Sequence, residues 1–235
     1  MVIMTRRADE RGRQARDWFE KRLSFSHGDY YDPRYLGFGA LRVLNENHLA
    51  PGAAFDAAQR SDLEILSVVC DGRLRHTDSL GNERVVETGG VQRLSAGAGV
   101  EYRAANADPD APLHFFQIWV LPDRRGGRPR YDEARFPDPA QPGGLRLLAS
   151  AEGRRGSLSL RRDVDLHAGA LRPGESLAHP LGPEREVWLQ VASGSLTAGE
   201  ERLTAGDGMG LAEIEVLRLA AETDATFLLF DMARD

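Results

Sequence analysis

The chain has 235 residues, 41% of them hydrophobic and 28% charged, with a formal net charge of −6. That balance excludes nucleic acid and an anionic membrane surface as main partners, because both recruit a concentrated positive field. A single cysteine, Cys70, leaves no intramolecular disulfide and no cysteine pair to clip zinc. The opening MVIMTRRADERGR lacks the apolar stretch of a secretory signal, and no run approaches the roughly 18 apolar residues of a membrane span. The sequence therefore reads as a cytoplasmic chain.

Taken in chain order, 14-QARDWFEKRLSF-25 carries a helix-like alternation, although an extended arm is compatible with it. Beyond it the apolar residues come in short bursts bounded by Gly, Pro, Asn and Asp: 38-FGALRVL-44, 64-EILSVVC-70, 114-HFFQIWVL-121, 187-VWLQVA-192 and 226-TFLLFDM-232. Bursts of this length and spacing predict an all-β chain of barrels or sandwiches. The basic runs 124-RRGGRPR-130 and 153-GRRGSLSLRR-162 read as solvated loop and strand faces.

The bursts repeat. Glu64 opens a hydrophobic strand that reaches Gly72, and Glu186 opens another that reaches Gly194 at the same separation; each is followed by a hairpin and a glycine-rich turn. This predicts an internal duplication of one β unit. The stretch 122-PDRRGGRPRYDEARFPDPAQPGG-144 has the composition of a connector. The expected domains are 1–125 and 140–235, with a linker over 126–139.

The segment 52-GAAFDAAQRSDLE-64 is spaced like the metal-binding loop of a cupin barrel, in which His-x-His on one strand aims two imidazoles at one mouth. The two histidine slots hold Ala58 and Arg60, and Glu64 follows. A second segment, 89-GGVQRLSAGAGVEYRAAN-106, puts Tyr102 in its histidine slot. None of His27, His48, His76, His114, His167 and His179 is paired as His-x-His or at a helical interval, and His114 and His179 read as strand histidines.

The phrases 10-ERG-12, 30-YYDP-33, 37-GFGALRVLNEN-47, 62-DLEIL-66, 76-HTDSLGN-82, 94-LSAGAGV-100 and 117-QIWVLP-122, with 155-RGSLSL-160 and 229-LFD-231, resemble the pirin family, nearest to its bacterial quercetinase-like members. The resemblance implies two cupin-type antiparallel β-barrels in one chain. It also implies a divalent metal in the first barrel, on positions that here are Ala58, Arg60, Tyr102 and Ala104. These residue types predict that the metal site is lost and that no cofactor is bound.

A guanidinium in a former ligand slot needs partners. Arg60 is expected either to pair with Glu64 or Glu101, or to read an anion in a pocket walled by Phe38, Phe55, Tyr102, Phe116 and Trp119. The expected function is a non-catalytic protein that binds a small aromatic or anionic ligand or a protein partner, in a regulatory role. The alternatives are a quercetin 2,3-dioxygenase-like enzyme and a metal-independent acid/base enzyme in the same pocket.

Overall fold

In the computed structural model, which describes residues 1–136 and 144–234, the apolar bursts become strands and helix is confined to two 3-10 turns, Ala8–Glu10 and Arg154–Gly156. Among the described residues no helix is long and apolar enough to cross a membrane. The strands up to the first long sheet are β1 (Val2–Arg6), β2 (Gly12–Arg16), β3 (Phe19–Leu23), β4 (Leu41–Leu49), β5 (Ala58–Arg60) and β6 (Glu64–Asp71). There follow β7 (Arg73–Asp78), β8 (Glu83–Glu87), β9 (Gly90–Ser95), β10 (Val100–Asn106), β11 (Leu113–Val120) and β12 (Arg130–Arg135). The second half holds β13 (Gly144–Ser150), β14 (Leu158–Ser159), β15 (Val164–Leu171), β16 (Ser176–Pro180) and β17 (Arg185–Ser193). It ends with β18 (Ser195–Ala198), β19 (Glu201–Thr204), β20 (Gly208–Ala212), β21 (Val216–Ala221) and β22 (Ala225–Ala233).

Each half is a seven-stranded sheet paired with a four-stranded one, a cupin sandwich rather than a closed barrel. The first unit has the orders β12-β9-β6-β11-β4-β3-β2 and β5-β10-β7-β8. The second has β1-β20-β17-β22-β15-β13-β14 and β16-β21-β18-β19. The order β9-β6-β11-β4-β3 matches β20-β17-β22-β15-β13 and the four-stranded sheets match throughout, while the edges differ, β14 pairing parallel with β13 where β2 pairs antiparallel with β3.

The duplicated glycines share a physical cause. Gly72 and Gly194 sit at φ +87 and +73, and a Cβ would lie 2.6 Å from the Pro112 carbonyl oxygen in one case and 2.0 Å from that of Asp224 in the other. Only glycine takes that left-handed turn with another backbone so close.

Three expectations are corrected. Residues 14–25 form no helix: β2 and β3 make a hairpin from Gly12↔Leu23 to Arg16↔Phe19. Its period is two, with Phe19 packed on the core and Leu23 fully buried while Glu20 and Arg22 take the other face. The expected linker over 126–139 holds β12, an edge strand paired with β9 from Arg130↔Ser95 to Arg135↔Gly90. Charge along an edge strand protects it from pairing with other chains and disguises it as loop; residues 137–143 lie outside the described ones. Finally, Met1–Arg11 belongs to the second unit, not the first, because β1 pairs with β20.

Alternation fills both cores. In the first unit Val43, Ile65, Leu94, Val100 and Trp119 form one cluster, and Leu49, Val69, Leu74, Leu113 and Phe115 another. In the second, Val187, Leu189, Val191, Phe227 and Leu229 anchor a single one. Burying each such side chain contributes about 1.5–3 kcal/mol.

Candidate functional site

A cavity of about 270 Å³ opens into the first unit where β5 pairs with the start of β10 and β11 ends. Register builds its floor: β5 and β10 place Ala58 opposite Tyr102 and Arg60 opposite Val100. Ala58, Arg60, Tyr102 and Ala104 therefore line one mouth, as the loop spacing required, and Gln117 and Trp119 of β11 line it with them. The hairpin supplies further wall through Arg16, Trp18, Phe19 and Lys21, with His27, Phe55 and Asp56.

Aromatic rings shape this wall. Trp18 packs edge-on to Phe19 at 4.5 Å between ring centroids, and Phe55 lies 5.7 Å from Trp18 and 5.6 Å from Phe19. The Lys21 ammonium stands 4.0 Å from the Phe55 centroid, and the Arg60 guanidinium 4.9 Å from that of Trp119. Both are cation–π contacts, which hold a cation without neutralising it.

Asp56 also lines the mouth, but among the described residues no carboxylate stands at ion-pair distance from Arg60 or Lys21. Arg60 donates to the backbone oxygen of Gln59 at 2.6 Å, and its Nε is buried without an acceptor. Burial, then the charge of Arg60, lowers the pKa of Lys21. The same influences, with Lys21 added, take His27 down to about 4, so its imidazole is neutral at pH 7. Burial pushes the Tyr102 phenol up to about 12 against the pull of Arg60, so it stays protonated. It accepts a hydrogen bond from Gln117 at 3.3 Å. The Trp119 N–H approaches that hydroxyl closely enough to lower its pKa, yet is buried and closes no hydrogen bond.

Of the pocket residues expected from sequence, the structure brings Arg60, Tyr102, Phe55 and Trp119 together and leaves out four. Glu64 points to the opposite face of its sheet, where it accepts from Ser95 at 2.7 Å and meets Arg93 at 3.5 Å. Burial raises its pKa against those contacts. Glu101 is exposed on β10, on the face opposite Tyr102. Phe116 is buried on the outer side of β11, and Phe38 lies in the loop before β4. Neither acid pairs with Arg60, because period-two alternation turns both away from the mouth. Lys21 went unread because it comes from a hairpin remote in sequence; Trp18-Phe19-x-Lys21 at strand period was the available signal.

A second constellation lies on the outer face of the same sheet. Glu46 and His48 are two apart on β4, and His114 stands directly across from His48 on β11. His114 Nε2 is 3.1 Å and His48 Nε2 3.8 Å from the Glu46 carboxylate, and the two imidazoles stack at 4.1 Å. Among the described residues this is the group of three whose donor atoms lie within 4.8 Å of one another. The Glu-x-His spacing was visible in 45-NENHL-49; its third member depends on strand register.

The second unit closes its own charges at the corresponding end. Arg185 donates to Asp231 at 2.6 Å and to Asp163 at 2.8 Å, and His179 meets Asp231 at 2.8 Å.

Comparison with known proteins agrees with this architecture. The family model described as Pirin matches residues 4–120, and that described as Quercetinase C-terminal cupin domain matches 147–232. A quercetin 2,3-dioxygenase of Escherichia coli is 36% identical over 98% of this chain and 99% of its own. A pirin-like protein of Caulobacter vibrioides is 34% identical over 96% of this chain and 97% of its own. The crystal structure of the bacterial pirin YhhW from Escherichia coli in complex with nickel(II) superposes with a TM-score of 0.94, at 35% identity and full coverage of both chains.

Proposed function

The chain belongs to the pirin family, and we propose that its first cupin unit binds a small aromatic anion without a metal and performs no oxygenation. One observation carries this reading. Arg60 and Lys21 both line the cavity, and among the described residues no carboxylate lies at ion-pair distance from either. A carboxylate or phenolate bound there would give these cations a charge-assisted partner. Trp18, Phe19 and Phe55 supply apolar walls for a ring, and Lys21 a second positive charge.

The divalent metal that the family resemblance implies does not fit this mouth. Ala58 and Ala104 offer no donor atom, Arg60 offers only N–H donors, and the Tyr102 phenol is held protonated. Metal ligands must be deprotonated. Quercetin-type flavonols, to which the relatives' names point, are aromatic phenols that become anions on ionisation and so remain within the class this pocket selects.

The test is binding of salicylate and of quercetin to the full chain, followed by calorimetry with and without EDTA. Saturable binding that is indifferent to EDTA supports the proposal. Binding that requires a metal, or oxygen-consuming turnover of quercetin, overturns it in favour of a dioxygenase.

A further inference from the structure

We infer that Glu46, His48 and His114 form a divalent transition-metal site of zinc type on the outer face of the first unit, separate from the mouth. The strands dictate the arrangement. On β4 residues 46 and 48 project to the same side, and antiparallel pairing sets His114 against His48 and Phe116 against Glu46. Glu46 and His114 are thus diagonal neighbours within reach of one another. β4 is hydrogen-bonded to β3 and β11, and β11 to β4 and β6, so neither strand is a free edge. The backbone holding the donors is therefore fixed before any ion arrives.

The donor chemistry suits the ion. Two imidazoles and one carboxylate are a three-ligand zinc set that leaves a fourth position for water. Donors at about 2.0–2.1 Å from a tetrahedral ion lie about 3.3 Å from one another. The separations of 3.1 and 3.8 Å from the Glu46 oxygen to the two imidazole nitrogens bracket that value. Closing the remaining gap requires rotation of the stacked rings, and the His48 side chain, 51% exposed, has the room to rotate.

Arg22, opposite Glu46 on β3, donates to Glu20 at 2.7 Å. Glu20 stands opposite His48 and is paired with Arg13 at 2.8 Å and Arg22 at 2.7 Å.

The experiment is a titration of the EDTA-stripped full chain with Zn²⁺ alone by calorimetry, alongside His48→Ala, His114→Ala, Glu46→Gln and the double variant His48→Ala/His114→Ala. One equivalent should bind the wild type, and each single substitution should weaken it at least about tenfold. Zinc should also raise the melting temperature of the wild type and not that of the double variant. Melting of each variant without zinc establishes that it is folded. Failure of the wild type to take up zinc overturns the inference, as does wild-type affinity in the folded double variant.

Discussion

In the first unit Arg60 and Lys21 line the mouth with no carboxylate at ion-pair distance among the described residues, whereas in the second Arg185 lies between Asp231 at 2.6 Å and Asp163 at 2.8 Å. The central strands follow the same order in both units, so the difference belongs to side chains. At the second mouth His179 and Arg185 hold the Asp231 carboxyl below its usual range although burial alone would raise it. At that end Arg185 and His179 are paired with carboxylates of their own unit. At the first mouth Arg60 and Lys21 have no such partner among the described residues.

The comparison breaks most visibly at Asp231. Asp231→Ala removes the partner of His179 and one of the two carboxylates on Arg185, and should destabilise the fold by about 1–3 kcal/mol in urea unfolding. Arg60→Ala, at the first mouth, should change stability by no more than about 1 kcal/mol, since it loses only a cation–π contact and one bond to backbone. Equal losses in the two variants would erase the distinction.

The shared frame can be tested separately. Gly72→Ala and Gly194→Ala should each cost about 1–3 kcal/mol, because both turns are left-handed and a carbonyl lies where the methyl would go. A large loss at one site and none at the other would mean that the two turns are not equivalent.

A smaller effect follows from acid. His27 and His167, one in each unit, are lowered from 6.5 to about 4, chiefly by burial. Between those values the unfolded chain binds more protons than the folded one, so stability is full above about pH 6.5 and declines as the pH falls toward 4. Salicylate should raise the pKa of His27, whose neighbours Lys21 and Arg60 it would neutralise, and leave His167 unchanged. NMR titration of the two imidazoles reads both; an unmoved His27 in the saturated protein would place the anion elsewhere.

The architecture was legible because apolar bursts, turn glycines and the repeated Glu-to-Gly spacing are local signals of strand and hairpin. The cupin loop spacing likewise brought positions 58, 60, 102 and 104 to one place, since strand period and register carry them there. What stayed hidden depends on pairing between distant segments. Alternation turns Glu64 and Glu101 away from Arg60, and the charged edge strand β12 looked like a connector. Lys21 reaches the mouth only through the β2–β3 hairpin, and His114 meets Glu46 only through the β4–β11 register.

The most direct test of the charge contrast is the affinity of the EDTA-treated full chain for salicylate, compared between the wild type and Arg60→Ala. Loss of a charge-assisted contact should weaken binding by about ten- to a hundredfold in a variant that remains folded. Unchanged affinity in Arg60→Ala, or salicylate binding that appears only when a divalent metal is restored, would contradict the account.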